Sequence, residues 1–167
     1  MKAIRHQRGF TMLEVLISVL VVSFGMLGVA ATLFTAERSA TSSYVRQQAV
    51  QDAYDILDRM RANRTAAEAA GGPYTATMTA PSTTAPSPNC SSAACSGSAM
   101  AAYDVWQWQT MLQSNLPSGL GSVTIAAGSA GTYTVTVSVQ WNDQAGGTAF
   151  GQTTGSNTQT YTVVSAL

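Results

Sequence analysis

The stretch Arg8-Gly9-Phe10-Thr11-Met12-Leu13-Glu14 decides how the rest of this 167-residue chain is interpreted. A basic leader ends at a glycine, an aromatic residue follows, and a carboxylate stands five residues after that glycine. Residues 15–36 then carry no charge. A carboxylate in an apolar, membrane-length helix costs about 2.5–3.5 kcal/mol near the bilayer centre. The pattern therefore predicts a positive partner for Glu14. Cleavage after Gly9 would create one, the new α-amino group of Phe10, on this chain or on a neighbour.

Three other interpretations of the same segment remain open. Residues 1–31 could be a secretory signal cleaved after Val29-Ala30-Ala31, although the uncharged run exceeds the roughly 7–15 residues of such a signal's apolar core. The Thr11-x-x-Glu14 spacing is that of a capping box, so Glu14 could serve a helix N-terminus, alone or in addition. The segment could also be a plain signal anchor with its basic residues inside the cell.

The sequence Gly9-Phe10-Thr11-Met12-Leu13-Glu14-Val15 resembles the type III signal of type IV pilins and of the pseudopilins of type II secretion. The resemblance implies that a prepilin peptidase cuts between Gly9 and Phe10 and N-methylates Phe10. It also implies that Glu14 neutralises the N-terminus of a subunit already in the filament. Residues 1–9 would be the cleaved leader, and residues 10–36 a transmembrane helix that becomes part of the filament core.

The length of 167 residues predicts one domain plus this N-terminal extension, and the charges are distributed unevenly between them. The full chain has eight basic and eight acidic residues, and the leader holds three of the basic ones, so a chain from Phe10 has a net charge of 5 − 8 = −3. After Glu68 the only charged side chains are Asp104 and Asp143. Such an uncharged surface argues against binding to a phosphate backbone, and we expect no nucleic-acid partner.

The sequence also predicts that the chain is not an enzyme. His6 is the only histidine and Lys2 the only lysine, and both lie in the leader. The processed chain would lack an imidazole for acid–base chemistry or metal binding, and an amine for a Schiff base. We therefore expect no catalytic residue, metal or cofactor.

The two cysteines, Cys90 and Cys95, flank four small residues. Two thiols alone are too few for a zinc site, and an exported region permits a disulfide. We predict a local disulfide between them, with two free thiols as the alternative.

Residues 37–66 predict an amphipathic continuation of the apolar helix. No Gly or Pro occurs in residues 37–62, and Asp55–Arg59 and Asp58–Arg61 have the acid-first spacing of helix ion pairs. The apolar positions at helical spacing are Val45, Ala49, Ala53, Ile56 or Leu57, and Met60. One helix over residues 10–62 would be about 80 Å long.

Two features of this rod have alternative interpretations. Arg59, Arg61 and Arg64 suit the negative end of a helix dipole, or they could contact DNA or another partner. Gly25 and Gly28 could allow close helix contact, or they could let the helix bend or unwind in a filament.

The remainder, residues 67–167, predicts a small head with an antiparallel sheet. We expect Gly71-Gly72-Pro73 to end the helix and residues 80–98 to form an irregular Pro/Ser/Thr loop. The pattern predicts a short strand over 74–79, a helix over 100–116 with a tryptophan-containing core stripe, and strands over 122–127, 132–141 and 158–164. Residues 142–157 join the last two strands. The fold class is α+β: a long N-terminal helix packed on a small antiparallel sheet, pilin-like.

The tail also resembles PilV-type minor pilins. The similarity rests on Asp52-x-x-Asp55-x-Leu57-x-Arg59-Met60-Arg61, on Cys90 and Cys95 before Tyr103-Asp104-Val105-Trp106, and on Leu116-Pro117-Ser118-Gly119. It implies a low-abundance subunit that helps prime type IV pilus assembly and takes part in twitching and adhesion. The implied partners are other minor pilins, the major pilin, prepilin peptidase, the inner-membrane assembly platform and a pilus tip adhesin.

The implied location is the inner membrane, with one span and a periplasmic head, and then the pilus tip. A minor pseudopilin of type II secretion is the main alternative. A DNA-uptake pilin and a major filament subunit are two others.

Overall fold

The computed structural model describes residues 9–143 and 157–167. The predicted leader residues 1–8 and most of the segment between the last two strands, residues 144–156, lie outside this range. The helices are α1 (Met12–Ala62), α2 (Arg64–Ala67) and α3 (Gly97–Asn115). The strands are β1 (Leu120–Ala127), β2 (Tyr133–Asn142) and β3 (Thr158–Ala166), with a 3₁₀ turn at Ser129–Gly131 between β1 and β2.

The predicted rod is confirmed as one unbroken helix, α1, of 51 residues. At 1.5 Å per residue it is about 76 Å long. The helix ends at Ala62, where the backbone N–H of Asn63 donates to the carbonyls of Arg59 and Met60 and the chain leaves helical geometry. The end therefore comes before the predicted Gly71-Gly72-Pro73 stop, and α2 is a separate turn.

The C-terminal part of α1 supplies one wall of the core. Its buried apolar side chains recur at helical spacing, as the sequence predicts: Ala49, Ala53, Ile56, Leu57 and Met60. Val45 packs against the same cluster and is partly buried. The predicted ion pairs form as well, with 2.8 Å between Arg59 Nε and Asp55 Oδ2 and 2.7 Å between Arg61 Nη1 and Asp58 Oδ1.

The sheet has the order β1-β2-β3, and both pairings are antiparallel. In β2, Val135, Val137, Val139 and Trp141 are buried, and the residues between them are more exposed. This confirms the predicted alternation of one buried and one solvent-facing side. Val137 pairs with Val123 of β1 and Val163 of β3, so the centre of the sheet presents valine to the helices.

The prediction of a short strand over residues 74–79 is wrong. Only Ala76 pairs, in a single antiparallel bridge to Val123 with hydrogen bonds of 3.0 and 2.9 Å. Tight backbone bonds on both sides, Thr75 N–H to the Gly72 carbonyl and Thr79 N–H to the Thr77 carbonyl, turn the chain away. Tyr74 is completely buried, and its hydroxyl donates to Asp104.

Helix α3 packs its tryptophan stripe into the core, as predicted. Ala101, Trp108 and Leu112 are buried, and the Trp108 indole N–H donates to the Asp52 carbonyl of α1 at 2.8 Å. The Ser96 hydroxyl caps the start of α3 by accepting from the Ala99 N–H. Ahead of this cap lies the predicted disulfide, Cys90–Cys95, which is confirmed.

Candidate functional site

The N-terminal end of α1 holds the residues that the sequence singles out for processing. Gly9 and Phe10 precede the helix, and 83% of the Phe10 surface is exposed. Thr11 is the N-cap with extended backbone, and its hydroxyl accepts from the Glu14 N–H at 3.3 Å. The Gly9–Phe10 peptide bond therefore lies outside the helix on an accessible segment, a geometry that a peptidase can engage.

Glu14 lies on the exposed surface of the first turn. Within residues 9–143 and 157–167, its carboxylate forms neither an ion pair nor a side-chain hydrogen bond. The capping box is thus half formed: the Thr11 hydroxyl caps Glu14, and the reciprocal bond from the Glu14 side chain is missing. Glu14 shares an open groove with Phe10, Val15 and Ser18, so the carboxylate is available to a partner beside the predicted cleavage point.

The first half of α1 exposes its apolar side chains on all sides. Among the described residues, α1 is the one helix long and apolar enough to cross a membrane, with a window of mean hydropathy 2.3 that is 0% buried within the chain. Its hydroxyls are internally satisfied: Ser18 and Thr32 donate to carbonyls three residues back, and Ser23 and Thr35 to carbonyls four residues back. Such a surface is compatible with lipid or with neighbouring helices.

Gly25 and Gly28 lie on this exposed half. A methyl group added at either position would have no atom of the chain within 4 Å. Neither glycine is therefore required by packing within the described chain, and the two interpretations, helix contact and helix bending, both stay predictions.

The arginine cluster at the end of α1 is neutralised by carboxylates. In addition to Asp55, Arg59 approaches Asp104 of α3, with 3.5 Å between Nη1 and Oδ1. Asp104 also accepts from the Tyr74 hydroxyl at 2.7 Å. Burial, followed by this hydrogen bond, raises the pKa of Tyr74 well above its usual range. Arg61 pairs with Asp58, and Arg64 with Glu68.

These ion pairs favour the interpretation that the arginines stabilise the end of the helix rather than contact nucleic acid. The two ion pairs within α1 were predictable from the sequence, because the spacing of their residues is that of neighbours on one helix. The sequence did not predict the contribution of Tyr74 and Asp104, which come from two other segments. The only sequence signal for this contact was Asp104, an aspartate within a tryptophan-rich helix.

Asp52 is a buried carboxylate for which the sequence predicted no specific role. It is 3% exposed, and it accepts from Gln48 Nε2 at 2.9 Å and from Asn115 Nδ2 at 3.3 Å. No arginine pairs with it among the described residues. Burial raises its pKa above the ordinary value, and the two hydrogen bonds oppose that shift only in part. Asp52 connects α1 to the end of α3, a structural position away from the N-terminal site.

Two models of known protein families match parts of the chain. Residues 4–30 match the family model described as the prokaryotic N-terminal methylation motif. Residues 32–106 match the model described as Tt1218-like, type IV pilin Tt1218. Over residues 32–106 the chain is therefore similar to a type IV pilin family. The first match contains Gly9, Phe10 and Glu14, and the second runs from the exposed half of α1 to Trp106 in α3. No curated protein and no solved structure matched the chain.

The chain thus combines an N-methylation motif, an apolar helix that indicates a membrane anchor, and a small α+β head. Its described residues hold no cluster of three or more side chains suited to a metal ion.

Proposed function

We propose that this pilin-like chain is a minor pilin that helps prime type IV pilus assembly and supports pilus-dependent motility and adhesion. Its resemblance to PilV-type minor pilins, carried by the residue pattern from Asp52 to Gly119, is the basis for the minor role. The N-methylation motif and the pilin match support a pilus-related function in general.

In this proposal, prepilin peptidase cleaves the Gly9–Phe10 bond and N-methylates Phe10. The processed subunit is stored in the inner membrane by residues 10–36, with the head in the periplasm. It then joins other minor pilins and the major pilin through the inner-membrane assembly platform. It resides at the pilus tip, where it helps to present a tip adhesin.

One observation carries this proposal: Glu14 is exposed and unpaired among the described residues, and it lies on an apolar helix beside the predicted cleavage point. An isolated carboxylate on such a surface is costly in lipid. A second subunit that offers a positive N-terminus removes that cost, so the same residue favours assembly over storage. The residue pattern therefore suits a subunit that moves from a membrane into a filament.

The proposal is tested by a clean deletion of the gene, scored in parallel for surface pili, twitching and secreted hydrolase activity. We expect fewer pili and less twitching with normal secretion, and plasmid-borne wild-type chain should restore both. Normal pili and twitching in the deletion strain would contradict a priming role.

A minor pseudopilin of type II secretion is the second candidate. The leader and the long helix, Met12–Ala62, favour it equally, since both classes share these features. Loss of hydrolase secretion with normal pili would move the chain to that class. The argument about Gly9, Phe10 and Glu14 would be unchanged.

A further inference from the structure

A small polar pocket lies where α1 meets the ends of β2 and β3, away from the N-terminal site. Its volume is about 130 Å³, and its walls include Ser42 and Arg46 of α1 together with Trp141, Asp143 and Gln159. Trp141 and Gln159 are directly paired across the two strands, so their side chains lie on the same side of the sheet. The pocket therefore has room for a group of several atoms, and no step of the function proposed above uses it.

The indole N–H of Trp141 is a buried donor without an acceptor. Trp141 is 4% exposed, and its Nε1 has no hydrogen-bond partner in the described part of the chain. The other two tryptophans differ, since the indole N–H of Trp106 donates to the Ser82 carbonyl and that of Trp108 to the Asp52 carbonyl, both at 2.8 Å. Leaving a buried donor unpaired costs free energy, so the pocket contains a group that an acceptor from outside would stabilise.

The guanidinium of Arg46 is the second unpaired group of this pocket. Arg46 is exposed, and among residues 9–143 and 157–167 it forms no ion pair, although Asp143 lines the same pocket. The Asp143 carboxylate accepts from the Ser42 hydroxyl, and the Asp143 backbone N–H donates to the Asn157 carbonyl at 2.8 Å. The Arg46 guanidinium and the Trp141 indole can only donate. The pocket thus lacks an acceptor rather than a donor.

We propose that this pocket binds a carboxylate group, with the Arg46 guanidinium and the Trp141 indole N–H as its donors. A hydrogen bond from a guanidinium to a carboxylate is charge-assisted and stronger than a neutral one. Arg46 and Gln159 are long, exposed side chains, so they can move aside to admit the group to the indole. The Asp143 carboxylate repels a multiply charged anion such as phosphate more strongly than it repels a single carboxylate.

The test is a titration of the full chain in detergent with sodium acetate, followed by NMR of its three isotope-labelled tryptophan indoles. We expect the Trp141 N–H resonance to shift and saturate, whereas the resonances of Trp106 and Trp108 stay in place because their donors are already bonded. Acetamide, which is similar in shape but uncharged, and sodium chloride at the same ionic strength should cause only small shifts without saturation.

The variant Arg46→Gln should weaken acetate binding roughly two- to fivefold, the range for an exposed ion pair. Arg38→Gln is the matched control, because Arg38 is another exposed arginine of α1 that forms no ion pair among the described residues and does not line the pocket. It should bind acetate as the wild type does. A Trp141 resonance that does not saturate, an equal response to acetamide, or equal affinity in Arg46→Gln and wild type would overturn the proposal.

The carboxylate could come from an acidic side chain of an adjoining subunit or from a free small molecule, and a second measurement separates these sources. It compares Arg46→Gln and Arg38→Gln for the ratio of subunit in sheared filaments to subunit in membranes. Lower incorporation of Arg46→Gln alone assigns the carboxylate to an adjoining subunit, and equal incorporation assigns it to a free molecule. The acetate titration requires neither pili nor processing, so its failure rejects the pocket alone, and normal pili in the deletion strain reject the proposed function alone.

Discussion

At the scale of single residues, Glu14 and Asp52 are two carboxylates of one helix in opposite situations. Glu14 is exposed on an apolar surface and has no partner among the described residues, whereas Asp52 is enclosed by Gln48, Asn115 and the core. We propose that the first is stabilised by a group from outside the chain, whereas the second is stabilised by neutral hydrogen-bond donors within it. Each carboxylate leads to a distinct prediction.

The variant Glu14→Ala should be processed normally but should enter filaments roughly five- to 150-fold less often. The reason is that a buried group left without its partner costs about 1–3 kcal/mol, and about 1.4 kcal/mol is a factor of ten. The measurement is the ratio of the subunit in sheared pili to the subunit in membranes. Glu37→Ala, which removes another exposed carboxylate of α1, is the matched control and should incorporate normally. Equal incorporation of both variants would reject the assembly role of Glu14.

Asp52 should make the stability of the head depend on pH. Burial raises the pKa of Asp52 in the folded state above its unfolded value, so the folded chain keeps the proton to higher pH. Its contribution to stability is greatest below the unfolded pKa and falls as pH rises through the folded pKa. Asp52→Asn should therefore increase the free energy of unfolding at pH 7 relative to wild type, with a smaller difference at pH 3.5.

Urea unfolding of a chain of residues 37–167, at pH 7 and at pH 3.5, measures this effect. Asp58→Asn is the control, because Asp58 is exposed and paired with Arg61. A difference between Asp52→Asn and wild type that is the same at both pH values would contradict the role assigned to burial.

At the scale of elements, the contact between α3 and β1 depends on a residue without a side chain. A Cβ added at Gly121 would overlap the Trp108 ring and Leu112 Cδ1. The Gly121 carbonyl also accepts from Gln109 Nε2 at 3.2 Å. The strand can therefore approach the helix only because this position is glycine.

Gly121→Ala should lower the free energy of unfolding by about 1–3 kcal/mol, the usual cost of overpacking a core. Thermal unfolding followed by tryptophan fluorescence measures the change, since Trp108 lies at the contact. Thr124→Ala, on the exposed side of the same strand, should have little effect. An unchanged melting temperature for Gly121→Ala would show that α3 and β1 can separate without cost.

At the scale of the whole molecule, the core and the apolar half of α1 are separate in the chain. Every fully buried apolar residue of the described chain lies at or after Ala49, and Val45 is the first residue that packs against this cluster. The head should consequently fold without residues 9–36, whose apolar window is 0% buried within the described chain.

We expect residues 37–167 to be soluble and to give the same near-ultraviolet circular dichroism as the full chain in detergent. A chain that begins at residue 55 should fail to fold, because it lacks Ala49, Ala53 and the Asp52 carbonyl that accepts from Trp108. Loss of tertiary signal in the 37–167 chain would indicate that the apolar helix stabilises the head.

Much of this architecture follows from local sequence pattern. The motif at Gly9–Glu14, the continuous rod, the buried stripe of α1 and the alternation of β2 all depend on residues close together in the chain. Helix and strand periodicity place such residues on one face without reference to the rest of the fold. The disulfide belongs to the same group, since only four residues separate its cysteines.

Tertiary structure decided what local pattern does not contain. The bond from Trp108 to Asp52 joins residues 56 apart, and the bond from Tyr74 to Asp104 joins residues 30 apart. Residues 74–79 alternate like a strand, yet only Ala76 reaches a partner, because pairing depends on where β1 lies. The sequence by itself determined the apolar helix and most of the other elements, since their energetics are local. The fold decided which polar groups are buried together, since that depends on contacts between distant segments.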